Sequence, residues 1–125
     1  MTQYSVPGAP WATQHSYDPI TMEILWNRLI AIADEAAATL VRTSFSTIVR
    51  ESNDYACVLL DPEGNSLAEN RGSIPSFVGC LARTARYFLQ QFPIDSWKPG
   101  DAMLTNDPWA ATGHRPDITL VTPIF

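Results

Sequence analysis

Apolar residues recur at helical spacing through Ile20, Ile24, Leu25, Leu29, Ile32, Ala33, Ala36, Leu40 and Val41, which predicts one amphipathic helix of about six turns. Asp18-Pro19 stands just before that pattern. An aspartate there can accept from the first free amides, and a proline without an N–H suits the first helical turn. The run of small residues at Ala36, Ala37 and Ala38 predicts close packing against a neighbour. Residues 43–47, mostly polar or β-branched, continue a helix poorly and are expected to form a connection.

Further on, residues 55–60 read as a strand and Asp61-Pro62-Glu63-Gly64-Asn65 as a turn, with proline setting φ early and glycine supplying a positive φ. Residues 66–69 return as the hairpin partner, and residues 70–76, with Gly72 and Pro75, form a loop. A second amphipathic helix is predicted over residues 77–92 through Val78, Leu81, Ala82, Ala85, Phe88, Leu89 and Phe92, ended by Pro93. Lys98-Pro99-Gly100-Asp101 is a turn, residues 102–105 a short strand, 106–116 a loop and 118–125 a last strand interrupted by Pro123.

The resulting fold class is α+β: two amphipathic helices packed on short, mostly antiparallel strands. Residues 1–16, with Pro7, Gly8 and Pro10 and no apolar period, are expected to form an irregular arm anchored by Trp11, ahead of a folded unit over 17–125. The apolar ending Leu120-Val121-Thr122-Pro123-Ile124-Phe125 has no polar tail. It leads us to expect the N-terminal part of a larger domain, ahead of the alternative in which another chain completes the strand.

Composition narrows the function classes. A chain of 125 residues with 46% apolar and 17% charged positions can bury a core. Thirteen acidic against 8 basic residues give a net charge of −5, and no basic stripe is available to neutralise phosphates, so nucleic acid is excluded as a partner. No stretch reaches the roughly 18 apolar residues of a membrane span, and no signal-peptide pattern opens the chain, so the expectation is a soluble, cytoplasmic protein without a membrane partner. Cys57 and Cys80 are too distant in sequence for a CxxC pair and are read as reduced, buried thiols.

Candidate chemistry concentrates in Asn106-Asp107-Pro108-Trp109-Ala110-Ala111-Thr112-Gly113-His114-Arg115-Pro116-Asp117, a loop between two predicted strands. His114 and Asp117 form an H-x-x-D spacing that could bring an imidazole nitrogen and a carboxylate oxygen onto one divalent cation. The competing reading is structural: Asn106 and Asp107 make an Asx-turn, His114 is partly exposed, and Asp117 caps the entry to the last strand. A second cluster, Arg50-Glu51-Ser52-Asn53-Asp54, reads either as a solvated charge cluster or as the source of a further carboxylate, Asp54, with Arg50 or Glu51 orienting it. His15 in the arm is not expected to be a ligand. Phosphate loops and nucleophile elbows are absent from the sequence, so ATP is not expected to bind this chain. Trp109 is placed to wall a substrate pocket and Arg115 to hold a substrate carboxylate or phosphate. No catalytic residue is assigned.

Four segments in order, Asp18-Pro19-Ile20-Thr21-Met22-Glu23-Ile24, Glu51-Ser52-Asn53-Asp54-Tyr55-Ala56-Cys57, Lys98-Pro99-Gly100-Asp101 and Asn106-Asp107-Pro108-Trp109 through His114-Arg115-Pro116-Asp117-Ile118-Thr119, resemble the hydantoinase B/oxoprolinase family from about residue 17 onward. The resemblance implies a metal-carrying subunit, or its N-terminal fragment, of an ATP-dependent cyclic-amide hydrolase or ketone carboxylase, inactive alone. It implies a hydantoinase A-type partner that uses ATP to phosphorylate the substrate, the remaining part of a B-type subunit, and a divalent metal, zinc or manganese. By motif, Asp54, His114 and Asp117 are the implied metal ligands, with a further family histidine falling beyond Phe125. One departure is local: Ala111-Thr112-Gly113 stands where many relatives carry Gly-Gly-Thr. The alternative is a non-catalytic structural module of a multi-subunit complex with an incomplete metal site.

Overall fold

Asp18 opens the first helix as the spacing predicts. Its Oδ1 accepts from the main-chain amides of Ile20 and Thr21 at 3.0 Å each, and its Oδ2 accepts from the Thr21 hydroxyl at 2.6 Å. The protein is described by a computed structural model over residues 17–125. The arm expected over 1–16, with Trp11 and His15, lies outside the described residues.

Helix α1 spans Pro19–Thr43, 25 residues, about a turn longer than the apolar period suggests. Its packing differs from the expectation. The buried residues are Ala33 and Ala37, whereas Ile20 and Ile24 of the predicted apolar face stay 72% and 62% exposed and Leu25, Ile32, Ala36 and Leu40 are exposed too. The reason is reach: a helix of about 37 Å meets a short hairpin and the short helix that follows it in sequence, and the buried contact falls where small side chains let backbones approach. Ala37 alone of the Ala36 to Ala38 run is buried. Beside this contact, Asp34 accepts from the Arg71 amide at 2.7 Å and from its Nε at 2.9 Å, with Nη2 at 2.8 Å.

A short helix α2, Thr47–Ser52, occupies the place where a connection and a charge cluster were expected. The Ser46 hydroxyl oxygen accepts from the Val49 amide, and Asn53 ends the helix in the left-handed region at φ 53°. Asparagine tolerates that region better than most residues.

Strands β1, Val58–Leu60, and β2, Ser66–Glu69, form an antiparallel hairpin with an irregularity between Leu59 and Leu60. The turn between them is held by Asp61, whose carboxylate accepts from the Asn65 amide at 2.7 Å and the Asn65 side chain at 2.8 Å. Gly64 lies at φ +79°, and a Cβ there would come 2.8 Å from Arg86 Cγ. Below the hairpin, buried Asn70 accepts from the Cys57 amide at 2.7 Å. Burial pushes the Cys57 thiol up. Both cysteines are free, but each is half-buried rather than fully buried, because Cys57 lies at the margin of the hairpin and Cys80 at the start of a surface helix.

Helix α3, Cys80–Gln91, follows a single 3-10 turn at Pro75–Phe77 and begins later than the periodicity suggests. Gly79, at φ +75°, separates the two. Ala82, Thr84, Ala85 and Phe88 form its buried face, which meets both β1 and the last strand. Phe92 ends it before Pro93; another 3-10 turn, Ile94–Ser96, leads to buried Trp97, whose indole N–H donates to the Phe92 carbonyl at 2.8 Å.

Strands β3, Met103–Thr105, and β4, Thr119–Val121, pair antiparallel, Met103 opposite Val121 and Thr105 opposite Thr119. The α+β class is as predicted, with the strands divided between two separate two-stranded ribbons. Strand lengths are shorter than the apolar runs, since only the residues that find a hydrogen-bonding partner are locked into a ladder. Among the described residues no helix is long and apolar enough to cross a membrane.

Candidate functional site

The loop over residues 106–117 joins β3 to β4, and its first half is fixed by local hydrogen bonds. The Thr105 hydroxyl accepts from the Asp107 amide at 3.0 Å, and Asp107 Oδ1 accepts from the Trp109 amide at 2.9 Å. The Asp107 carbonyl accepts from Ala110 and Ala111. This is the Asx-turn that the structural reading assigned to Asp107. Asn106 does something else: its amide donates to the Arg115 carbonyl at 3.1 Å and ties the two halves of the loop together.

Helix α3 pins the middle of the loop. Ala110 and Ala111 are 7% and 0% exposed. The Thr84 hydroxyl, fully buried, lies 2.8 Å from the Ala110 carbonyl and 3.0 Å from that of Cys80. Arg83 donates to the Ala111 carbonyl. The sequence reading singled out neither residue. The available signal was a polar residue, Thr84, on the apolar side of α3, flanked by arginines at 83 and 86.

At the far end of the loop, His114 Nε2 sits 2.8 Å from Asp117 Oδ1, with the imidazole 62% and the carboxylate side chain 17% exposed. Gly113 at φ +101° precedes the histidine, a backbone state that L side chains adopt poorly. The other oxygen of Asp117, Oδ2, is buried and has no hydrogen-bond partner, and the hydroxyls of Thr112 and Thr119 share that condition. Unpartnered buried oxygens are costly, about 1–3 kcal/mol each, so they call for a reason.

Asp54 lies half-buried between α2 and β1. Among the described residues no three His, Cys, Asp or Glu side chains gather closely enough to hold a metal ion. The structure therefore brings His114 and Asp117 together without Asp54 as a third. Arg50 and Glu51 point to solvent on α2. Trp109, 90% exposed, and Arg115 line an open groove of about 470 Å³ with Asn106, Asp107 and Pro108.

Comparison with known proteins places the chain. The family model described as hydantoinase B/oxoprolinase matches residues 18–125. The chain is 34% identical over 108 residues to a 5-oxoprolinase of Dictyostelium discoideum, covering 86% of this chain and 8% of that protein. It is 36% identical over 108 residues to 5-oxoprolinase 1 of Arabidopsis thaliana, with the same coverage. It is 32% identical over 110 residues to a putative B-type subunit of a D-/L-hydantoinase from Pseudomonas sp. strain NS671, covering 86% of this chain and 19% of that protein. The chain thus spans less than a tenth of the oxoprolinases and about a fifth of the hydantoinase subunit. No solved structure matches it significantly. With a family match that takes in every described element from the Asp18 cap to β4, the chain belongs to the hydantoinase B/oxoprolinase family.

Proposed function

We propose that this chain is part of the metal-carrying subunit of an ATP-dependent cyclic-amide hydrolase or ketone carboxylase, working with a hydantoinase A-type partner that phosphorylates the substrate. The observation that carries this reading is the pairing of His114 Nε2 with Asp117 Oδ1 at 2.8 Å beside a buried carboxylate oxygen that has no protein partner. An imidazole nitrogen and carboxylate oxygens are a donor set suited to zinc or manganese. His114 and Asp117 would hold the ion, with Asp54 as a third ligand if the rest of the subunit brings its segment to them. A divalent ion there supplies Lewis-acid polarisation of a carbonyl or phosphoryl oxygen.

The chain's own groups supply orientation. Asp117 fixes the imidazole of His114, and the same two atoms serve as a hydrogen-bond pair or, with the proton absent, as adjacent donors to one cation. Trp109 walls the substrate groove, and Arg115, whose carbonyl is held by Asn106, offers its guanidinium to a substrate anion. The resemblance to proteins named as a 5-oxoprolinase and as a hydantoinase subunit of the B type supports cyclic amides as the substrate class.

A second reading is a structural module with an incomplete metal site. It is favoured by the failure of Asp54 to join His114 and Asp117. Metal analysis of the assembled complex separates the two. Stoichiometric zinc or manganese that is lost in His114→Ala and Asp117→Ala, together with amide-hydrolysing or carboxylating turnover, supports the first reading; an assembled complex that contains no metal, or turns over unchanged in both variants, overturns it.

A further inference from the structure

The loop and α3 flank a second open groove, of about 270 Å³, lined by Arg83, Arg86, Tyr87, Gln90, Trp109 and Ala110. Trp109 belongs to both grooves, so its exposed indole is the partition between them. Arg83 and Arg86 stand one turn apart on α3, a spacing that puts side chains on the same strip of helix surface.

Each guanidinium places one N–H on a main-chain carbonyl, Arg83 on Ala111 and Arg86 on Gly64, the latter at 2.9 Å. Those bonds tether the arginines, and their other N–H donors make no further hydrogen bond among the described residues. Among the described residues the ion pairs are Arg71 with Asp34 and His114 with Asp117. Neither Arg83 nor Arg86 therefore meets a carboxylate, although the protein carries a net charge of −5. Two exposed arginines that line one groove, each anchored by a main-chain bond and neither paired with a carboxylate, offer free N–H donors to an anion. A guanidinium matches a planar carboxylate through paired, charge-assisted hydrogen bonds, better than any neutral group.

The rest of the lining specifies what the anion is attached to. Trp109 is 90% and Tyr87 41% exposed, which leaves aromatic surface free beside the two cations. Such surface accepts a flat ring by stacking. Gln90 adds an amide that can donate or accept at the edge. The groove is smaller than the roughly 300–1,000 Å³ of drug-sized pockets, so the ligand is small. We infer that the groove between α3 and the 106–117 loop binds a small carboxylate carrying a planar ring, the carboxylate on Arg83 and Arg86 and the ring against Trp109. This site goes beyond the proposed metal chemistry and does not depend on it, since none of the six lining residues is a proposed ligand.

The test is a titration of the 125-residue chain, without metal or nucleotide, with benzoate, with benzamide and with inorganic phosphate, followed by amide chemical shifts. Benzoate is expected to shift residues 83–90 and 109–111 in a saturable way, and benzamide and phosphate to bind at least about tenfold more weakly. Arg86→Gln, which keeps a donor for the Gly64 carbonyl, and Trp109→Ala, at an exposed position, should each weaken benzoate about tenfold with the remaining spectrum unchanged. Equal binding of benzamide or phosphate, no binding of benzoate, or indifference to both substitutions overturns the inference. A metal-loaded, active complex whose chain fails this titration would sink the groove alone; a chain that binds benzoate in a complex without metal would sink only the proposed function.

Discussion

The Thr84 hydroxyl on α3 lies 2.8 Å from the Ala110 carbonyl in the candidate-site loop, and it is the largest fully buried side chain among the described residues. This contact, with the neighbouring bond from Arg83 to the Ala111 carbonyl, joins a helix to a loop that is otherwise held by its Asx-turn and by Asn106. Thr84→Val keeps shape and removes the donor, leaving a buried carbonyl unpaired. The expected loss is about 1–3 kcal/mol of unfolding free energy in a denaturant titration. Thr84→Ser, which retains the hydroxyl, should lose less. Equal stability of the valine variant and the wild type would show that the Thr84 hydroxyl does not anchor the loop.

Gly64 gives a second prediction. Its positive φ and the 2.8 Å approach of a built Cβ to Arg86 Cγ both oppose any side chain. Gly64→Ala should cost about 1–2 kcal/mol for the left-handed backbone alone and push Arg86 from the Gly64 carbonyl. Chemical denaturation measures the first effect. A changed shift of the Arg86 guanidinium reports the second.

Much of this architecture is written in local chemistry. The Asp18-Pro19 cap, the Asp61 to Asn65 turn, the return strand Ser66–Glu69 and the helix stop before Pro93 are where the sequence reading expects them, because each is decided by residues within a turn of one another. What tertiary contacts decide was hidden. Helical periodicity cannot say which part of an apolar face meets a partner, so the exposure of Ile20 and Ile24 was not legible, and neither was the choice of Ala33 and Ala37 as the contact. The same holds for the site. The H-x-x-D spacing left open whether His114 and Asp117 converge, and in the structure they lie 2.8 Å apart, a local relation. The place of Asp54 depends on how distant segments meet, and Arg83 reaches the loop across 28 positions of sequence.

Acid should weaken the fold through Asp34. The Arg71 amide and guanidinium hold the Asp34 carboxyl below the usual carboxylate range. A depressed folded value means that the unfolded chain takes up the proton first as pH falls. The contribution is therefore complete above the ordinary aspartate value of about 4 and is lost as pH drops through the lower folded value. Asp18, held down by its bonds to Thr21 and Ile20, acts in the same direction. Melting temperature should fall between about pH 4 and pH 2, less steeply in Asp34→Asn. Asp18 is exposed, and Asp34 is half-buried against an exposed Arg71, so added salt should shrink the difference. A variant curve parallel to wild type would show that the pair adds nothing.

Asp117 offers the sharpest separation of stability from function. Its Oδ2 is buried without a partner while Oδ1 faces His114. A purely structural carboxylate would be satisfied on both oxygens, and its removal would destabilise the fold. A carboxylate kept for a cation carries an unmet demand when the cation is absent, and relieving it should not harm the chain. Asp117→Asn is therefore expected to change the unfolding free energy of the metal-free protein by less than about 1 kcal/mol, and to abolish the rise in melting temperature that zinc or manganese produces in the assembled complex. His114→Ala, at an exposed imidazole, should behave alike. A loss of more than about 2 kcal/mol in the metal-free Asn variant, with the metal-dependent rise intact, would instead assign Asp117 to the architecture of the loop and remove it from the proposed ligand set.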